Sequence, residues 1–196
     1  MVAVILSGGK SRRMGRDKAQ LQFAGKPALQ ILVERYSGYF DVYVGVDVPG
    51  RFLLYGAGEV VDEYTGQGPM AGLHAAFAQT GADKIFLTAV DLLHGDPTLA
   101  IKMMKSVGFG SDACIIKRPQ GIEPMFGAYS RSCFEPAEKL LENGENKIKI
   151  LLDSLKVKYL SQDELKKWDL DDILFNMNYP DDYKTVLGNI GCAEKN

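Results

Sequence analysis

Short hydrophobic runs recur along the chain, each closed by a polar or glycine-rich break and then by a stretch with helical spacing. Val2 to Leu6 has no polar interruption, which predicts a strand buried on both faces. Asp41 to Val46, Glu59 to Val61 and Lys84 to Val90 predict three more strands, the last two delivering Asp62 and Asp91 at their carboxyl ends. Leu29, Leu32, Val33 and Tyr36 share one stripe, so a helix is expected over 28–36. Met70 to Ala78 is helical by composition, with small residues that allow close packing on a sheet. Asp96-Pro97 caps and starts a further helix that runs to about Val107. Ala19 to Phe23 alternates like a short strand.

The second half is less regular. Strands are expected at 113–116 and 125–129, separated by a polar loop from Lys117 to Pro124. Helices follow at 134–141 and from Ile148, a strand at 157–160, and a strand end over 175–183 that turns into a last helix. Strands alternating with helices imply an α/β fold with a mostly parallel sheet covered on both faces. The departures in the second half imply a small antiparallel element there.

At 196 residues the chain suits one domain, expected over 1–187, with a disordered tail from Gly188. Its 46% hydrophobic and 24% charged content is that of an ordinary soluble protein. A formal net charge of −2 argues against general nucleic-acid binding. No apolar run reaches the roughly 20 residues of a membrane span, and no signal peptide is expected before the first strand. Cys114, Cys133 and Cys192 are widely spaced without a C-x-x-C pair, so they read as reduced thiols in a cytoplasmic protein.

The candidate chemistry begins where the first strand ends. Gly8 and Gly9 leave backbone N–H groups uncovered, and Lys10, Arg12, Arg13, Arg16 and Lys18 follow closely, enough charge to neutralise a triphosphate. A solvated basic turn is the plainer alternative; position directly after a buried strand favours phosphate. A P-loop would need its first glycine at Val4, and a dinucleotide fingerprint would need glycine at Lys10, so neither fits. Ligands of open parallel sheets bind beyond the carboxyl ends of the strands, which brings this loop, Asp62 and Asp91 to one edge. Asp91 is the lone carboxylate at its strand end and suits a hard cation such as Mg²⁺, against the alternative of a turn-capping aspartate. Asp62 matches either the N1–H and N2–H₂ donors of guanine or two ribose hydroxyls, and equally well a simple turn. Asn176 and Asn178, one residue apart, would project from one strand face. His94 reads as an exposed loop residue, with a phosphate contact as the alternative.

The opening stretch Leu6 to Lys18 resembles the L-x-G-G-x-S-x-R-M-G-x-D-K signature of the molybdenum cofactor guanylyltransferases, in the nucleotidyltransferase superfamily. Every fixed position is present: Leu6, Gly8, Gly9, Ser11, Arg13, Met14, Gly15, Asp17 and Lys18. Gly68-Pro69-Met70-Ala71-Gly72 resembles the family's x-P-L-A-G segment, and Asn176 to Asp181 its N-x-N-T-P-E stretch. The resemblance implies a Rossmann-like three-layer αβα fold and transfer of GMP from GTP to the terminal phosphate of molybdopterin, releasing pyrophosphate. By that likeness Leu6, Ser7, Gly8, Gly9, Lys18, Asp62 and Asp91 bind GTP. Arg13, Lys18 and Asp91 carry catalysis, Asp91 holds Mg²⁺, and Asn176 and Asn178 face the acceptor. It also implies transient contact with molybdenum cofactor biosynthesis proteins or molybdoenzymes. Asp91-Leu92-Leu93-His94 departs from the family's D-x-P pattern. A nucleotidyltransferase for CTP or another acceptor, and a nucleotide-binding module without turnover, are the alternatives.

Overall fold

The computed structural model describes residues 1–7, 17–52, 55–108 and 110–177. Its frame is a seven-stranded sheet made of β1 (Val2–Leu6), β4 (Asp41–Val46), β5 (Gly58–Val61), β6 (Lys84–Ala89), β7 (Ala113–Arg118), β8 (Gly121–Ser130) and β9 (Val157–Ser161). They lie in the order β5-β4-β1-β6-β8-β7-β9. β1 pairs in parallel with β4 on one side and β6 on the other, and β4 pairs in parallel with β5. β8 runs antiparallel between β6 and β7, whereas β9 is again parallel to β7. The mostly parallel sheet with an antiparallel element in the second half is therefore present.

Alternation along β1 explains the layers. Ala3 and Ile5 face one core, shared with α1 (Ala28–Ser37) and α3 (Pro97–Ser106). Val4 and Leu6 face the other, shared with α2 (Gly68–Thr80), α4 (Phe134–Glu142) and α5 (Ile148–Asp153). Both faces are thus covered by helices, so the central strands are free of polar side chains along most of their length. Thr88, buried in β6, is an exception. No helix among the described residues is long and apolar enough to cross a membrane.

Three expectations are corrected. Over 19–23 the chain forms a 3-10 turn, Lys18–Gln20, before the two-residue strand β2 (Gln22–Phe23) pairs with β3 (Lys26–Pro27). The Asp17 carboxylate accepts the Ala19 N–H and so starts a turn where side-chain alternation alone suggested extension. The polar stretch 117–124 is a tight hairpin, since β7 runs to Arg118 and β8 begins at Gly121. Its polar residues extend past the core and pair with one another, Arg118 with Glu123 at 2.9 Å. A register shift between Ile115 and Ile116 absorbs the irregularity near Pro124, which has no N–H to give to a ladder. Residues 175–177 form no strand; they follow a short helix, α6 (Leu170–Ile173). The remainder of that stretch, and the tail from Gly188, lie outside the described residues.

Candidate active site

Four parallel strands end at one edge, and the local packing there is tight. Leu6, the last residue of β1, sits between two glycines. A Cβ on Gly45 of β4 would lie 2.6 Å from Leu6 Cδ2, and one on Gly72 of α2 would lie 2.5 Å from the same atom. Glycine at both positions lets the first turns of α2 come down onto the end of β1. Gly68, which opens that helix at φ 71°, has a backbone that L side chains rarely adopt, and Pro69 follows in the first turn. The Gln67 side chain makes no cap bond, so it leaves the leading N–H groups of α2 uncapped.

Beyond Leu6, the ladder continues by one step on each side. The Val90 N–H donates to the Leu6 carbonyl at 3.0 Å, and Ser7 Oγ donates to the Gly45 carbonyl at 2.6 Å. The Ser7 hydroxyl is therefore held by the sheet rather than aimed outward. Gly8, Gly9 and Arg13, with the rest of 8–16, lie outside the described residues.

Past that segment, the chain returns to the same edge. Lys18 Nζ lies 3.0 Å from Asp91 Oδ2, and both side chains are largely buried. These two predicted residues, 73 positions apart in sequence, form one ion pair at the end of β6. Asp91 is also fixed through its backbone, since its carbonyl accepts the Met177 N–H at 3.0 Å.

Asp62 lies at the other end of the edge, three inter-strand steps or about 14 Å from the β6 end. Its N–H donates to the Val46 carbonyl at 2.9 Å, extending the β4–β5 ladder. Its carboxylate meets no cation among the described residues. Oδ1 is buried and has no hydrogen-bond partner among the described residues. Burial, followed by the nearby Asp47 carboxylate, raises its pKa from the ordinary 3.8 to about 6.

One residue without a sequence signal joins this edge. Arg51 places one nitrogen 2.7 Å from Asp47 and another 2.7 Å from Asp17. It ties the residue that resumes the opening loop to the segment after β4. A lone arginine in an irregular stretch carries no periodicity, so nothing in the sequence marked it.

Of the two asparagines expected to face an acceptor, Asn176 donates through Nδ2 to the Leu174 carbonyl at 3.2 Å in a local turn, directly before Met177. Asn178 lies outside the described residues. His94 is not the exposed residue expected from its loop position. Its side chain is only 14% exposed, and Nδ1 stands 2.6 Å from Asp172 Oδ1.

The edge thus carries an ammonium and a carboxylate at one end and, at the other, a carboxylate whose Oδ1 has no partner among the described residues. Residues 3–158 match the model of the MobA-like NTP transferase domain. The chain belongs to that family. A protein of Geobacillus sp. (strain WCH70) named "Probable molybdenum cofactor guanylyltransferase" is 32% identical, over 95% of this chain and 98% of its own length. One of the same name from Pelotomaculum thermopropionicum is 32% identical over 91% of this chain and 88% of its own. The crystal structure of molybdopterin-guanine dinucleotide biosynthesis protein A from Archaeoglobus fulgidus superposes with a TM-score of 0.88. It is 28% identical and covers 99% of this chain and 100% of that one. Lys18, Asp62 and Asp91 fall within the MobA-like match, whereas the 170–177 segment that docks on Asp91 lies beyond it.

Proposed function

We propose that this MobA-like chain transfers GMP from GTP to the terminal phosphate of molybdopterin. An acceptor phosphate oxygen attacks the α-phosphorus in line; the bond from that phosphorus to the bridging oxygen breaks, and pyrophosphate leaves. The attacking oxygen is already anionic, so no general base is needed, and catalysis is positioning plus neutralisation of charge. The observation that carries the reading is the Lys18–Asp91 pair at the end of β6, on an edge whose far end holds the buried Asp62 carboxylate.

Lys18 holds phosphate oxygens and offsets the charge that builds on the leaving pyrophosphate; Arg13 has the same role by resemblance. Asp62, once ionised, accepts the N1–H and N2–H₂ of guanine, which fits a buried oxygen with no donor among the described residues. The Leu6–Gly9 stretch and the start of α2 line the nucleoside, and Asn176 and Asn178 face the acceptor.

The donor set fits Mg²⁺ of one kind. Among the described residues no group of three or more His, Cys, Asp or Glu side chains is placed to cage a metal. A single carboxylate at a strand end suits an ion that keeps waters and takes substrate phosphate as ligand. Asp91 would hold it, and the bound ion would supply charge neutralisation at the phosphates.

The test is pyrophosphate release with molybdopterin and each of GTP, CTP and ATP, alongside nucleotide binding. Release with GTP alone is expected. Equal use of CTP would retain nucleotidyl transfer but overturn the guanine assignment. GTP binding without release would leave a nucleotide-binding module.

A further inference from the structure

The loop after β6 and the segment that ends in the acceptor-side asparagines are joined at two points. One is the Met177 N–H to the Asp91 carbonyl, 3.0 Å. The other is the His94 ring and Asp172, 2.6 Å. A carboxylate can only accept, so Nδ1 is the donor. The contacts lie three residues apart on the loop and five apart on the segment, and they run in opposite directions. They therefore enclose Leu92 and Leu93 on the loop, with Asp91 anchored at one end and His94 at the other.

The surrounding structure shows what each contact adds. Leu170, Ile173, Leu174 and Met177 are all buried in the core shared with α1 and α3, so apolar packing holds the segment on the protein. Such packing is non-directional and does not by itself set a register to a fraction of an ångström. The polar contacts do. Asp169 accepts the N–H groups of Asp171 and Asp172, fixing the first turn of α6 and hence where Asp172 points. Asp171 pairs with Arg118 of the β7–β8 hairpin at 3.1 Å, leaving Asp172 to face the loop. On the loop side, Arg35 of α1 donates to the carbonyls of Leu93 and Gly95, which flank His94. His94 is thus presented from a braced turn to a braced helix.

We infer that His94 is a positioning residue: bonded to Asp172, it holds the acceptor-side segment in register with the loop that carries Asp91. This rests on the transferase reading above. Asn176 lies between Asp172 and Met177, so its distance from Asp91 is fixed by the two contacts on either side of it. Loss of the His94 bond frees one end of the bracket. The acceptor would then meet a site whose two halves are misaligned, while the nucleotide, held at the other strands, would not.

The experiment compares His94→Ala, His94→Asn, Asp172→Ala and the double His94→Ala/Asp172→Ala. Asparagine retains a donor near the Nδ1 position. Expected in His94→Ala is a rise of about tenfold in the acceptor KM, the order for losing a hydrogen bond to a charged group. GTP Kd should stay within about twofold. The double variant should be no worse than either single one, and His94→Asn should recover most of the loss. Amide exchange at Met177 provides a second readout that needs no turnover, and it should quicken in His94→Ala and return in His94→Asn. Unchanged exchange at Met177 in His94→Ala overturns the inference. So does a loss that His94→Asn does not restore, or one that follows a lowered Tm in every variant. Absence of pyrophosphate release from the unaltered chain would instead count against the transferase reading, with Met177 exchange still deciding whether the bracket exists.

Discussion

The two ends of the sheet edge carry the same residue type in the same kind of place, yet their environments are opposite. Asp91 and Asp62 each follow a parallel strand; Asp62 continues its ladder through the Val46 carbonyl, whereas the Asp91 carbonyl accepts from Met177. Asp91 meets Lys18 at 3.0 Å. Among the described residues Asp62 meets no cation and has a buried oxygen without a partner, and it is pushed up to about pKa 6 by burial and by Asp47. A carboxylate with a cation beside it is suited to a region where phosphate and metal charges must balance. A carboxylate with buried, unused acceptor capacity is suited to N–H donors, because an incoming donor relieves the desolvation already incurred. The strand end supplies the position, and the neighbours decide the chemistry.

The contrast is broken most severely at Asp91. Asp91→Asn preserves shape but removes the charge that would hold a divalent ion, so kcat should fall by roughly 10²–10⁴, about 3–5 kcal/mol of transition-state stabilisation. Pyrophosphate release measured against Mg²⁺ concentration checks it, and full turnover in the variant would move the metal elsewhere. The effect at Asp62 should be smaller and of a different kind. Asp62→Ala should leave turnover of bound GTP largely intact while lowering the preference for GTP over CTP by about 2–4 kcal/mol, the cost of unpaired guanine donors. A competition assay reads this directly; an unchanged preference would assign Asp62 to the turn alone.

The smallest effect is a pH dependence that originates at Asp62. Asp62 has a folded pKa above its unfolded value, so the folded chain binds the extra proton. Its contribution to stability is present below about pH 4 and is lost as pH rises through about 6. Guanine requires the ionised form, so GTP affinity should change the other way, improving about tenfold between pH 5 and pH 7. Melting curves and binding isotherms across that range should therefore run in opposite directions, and Asp62→Asn should flatten both.

Much of this architecture was legible because the buried strands announce themselves. Mostly apolar runs ending at Leu6 and Val90 suit a sheet covered on both sides, and the strand-end rule then brings Lys18 and Asp91 to one place. Harder to read was whatever depends on one side chain capturing one backbone group. The alternation of Ala19, Leu21 and Phe23 is real, since all three are buried, but the Asp17 cap turns the chain before a full strand can form. The hairpin at Lys117–Pro124 was hidden because its charged residues satisfy one another beyond the core. Arg51 and His94 were illegible for the same reason: their partners, Asp17, Asp47 and Asp172, are adjacent only in the folded chain. Gly8, Gly9, Arg13 and Asn178 lie outside the described residues and stand on the sequence.

The seating of Leu6 between Gly45 and Gly72 makes that side chain a spacer gauge. The gap between the floor of the edge and the helix that walls it is one isobutyl group thick, and neither glycine can grow without displacing it. A substitution that adds bulk at Gly45 or Gly72 must therefore first move Leu6, so the spacing between the end of β1 and α2 is set by one side chain.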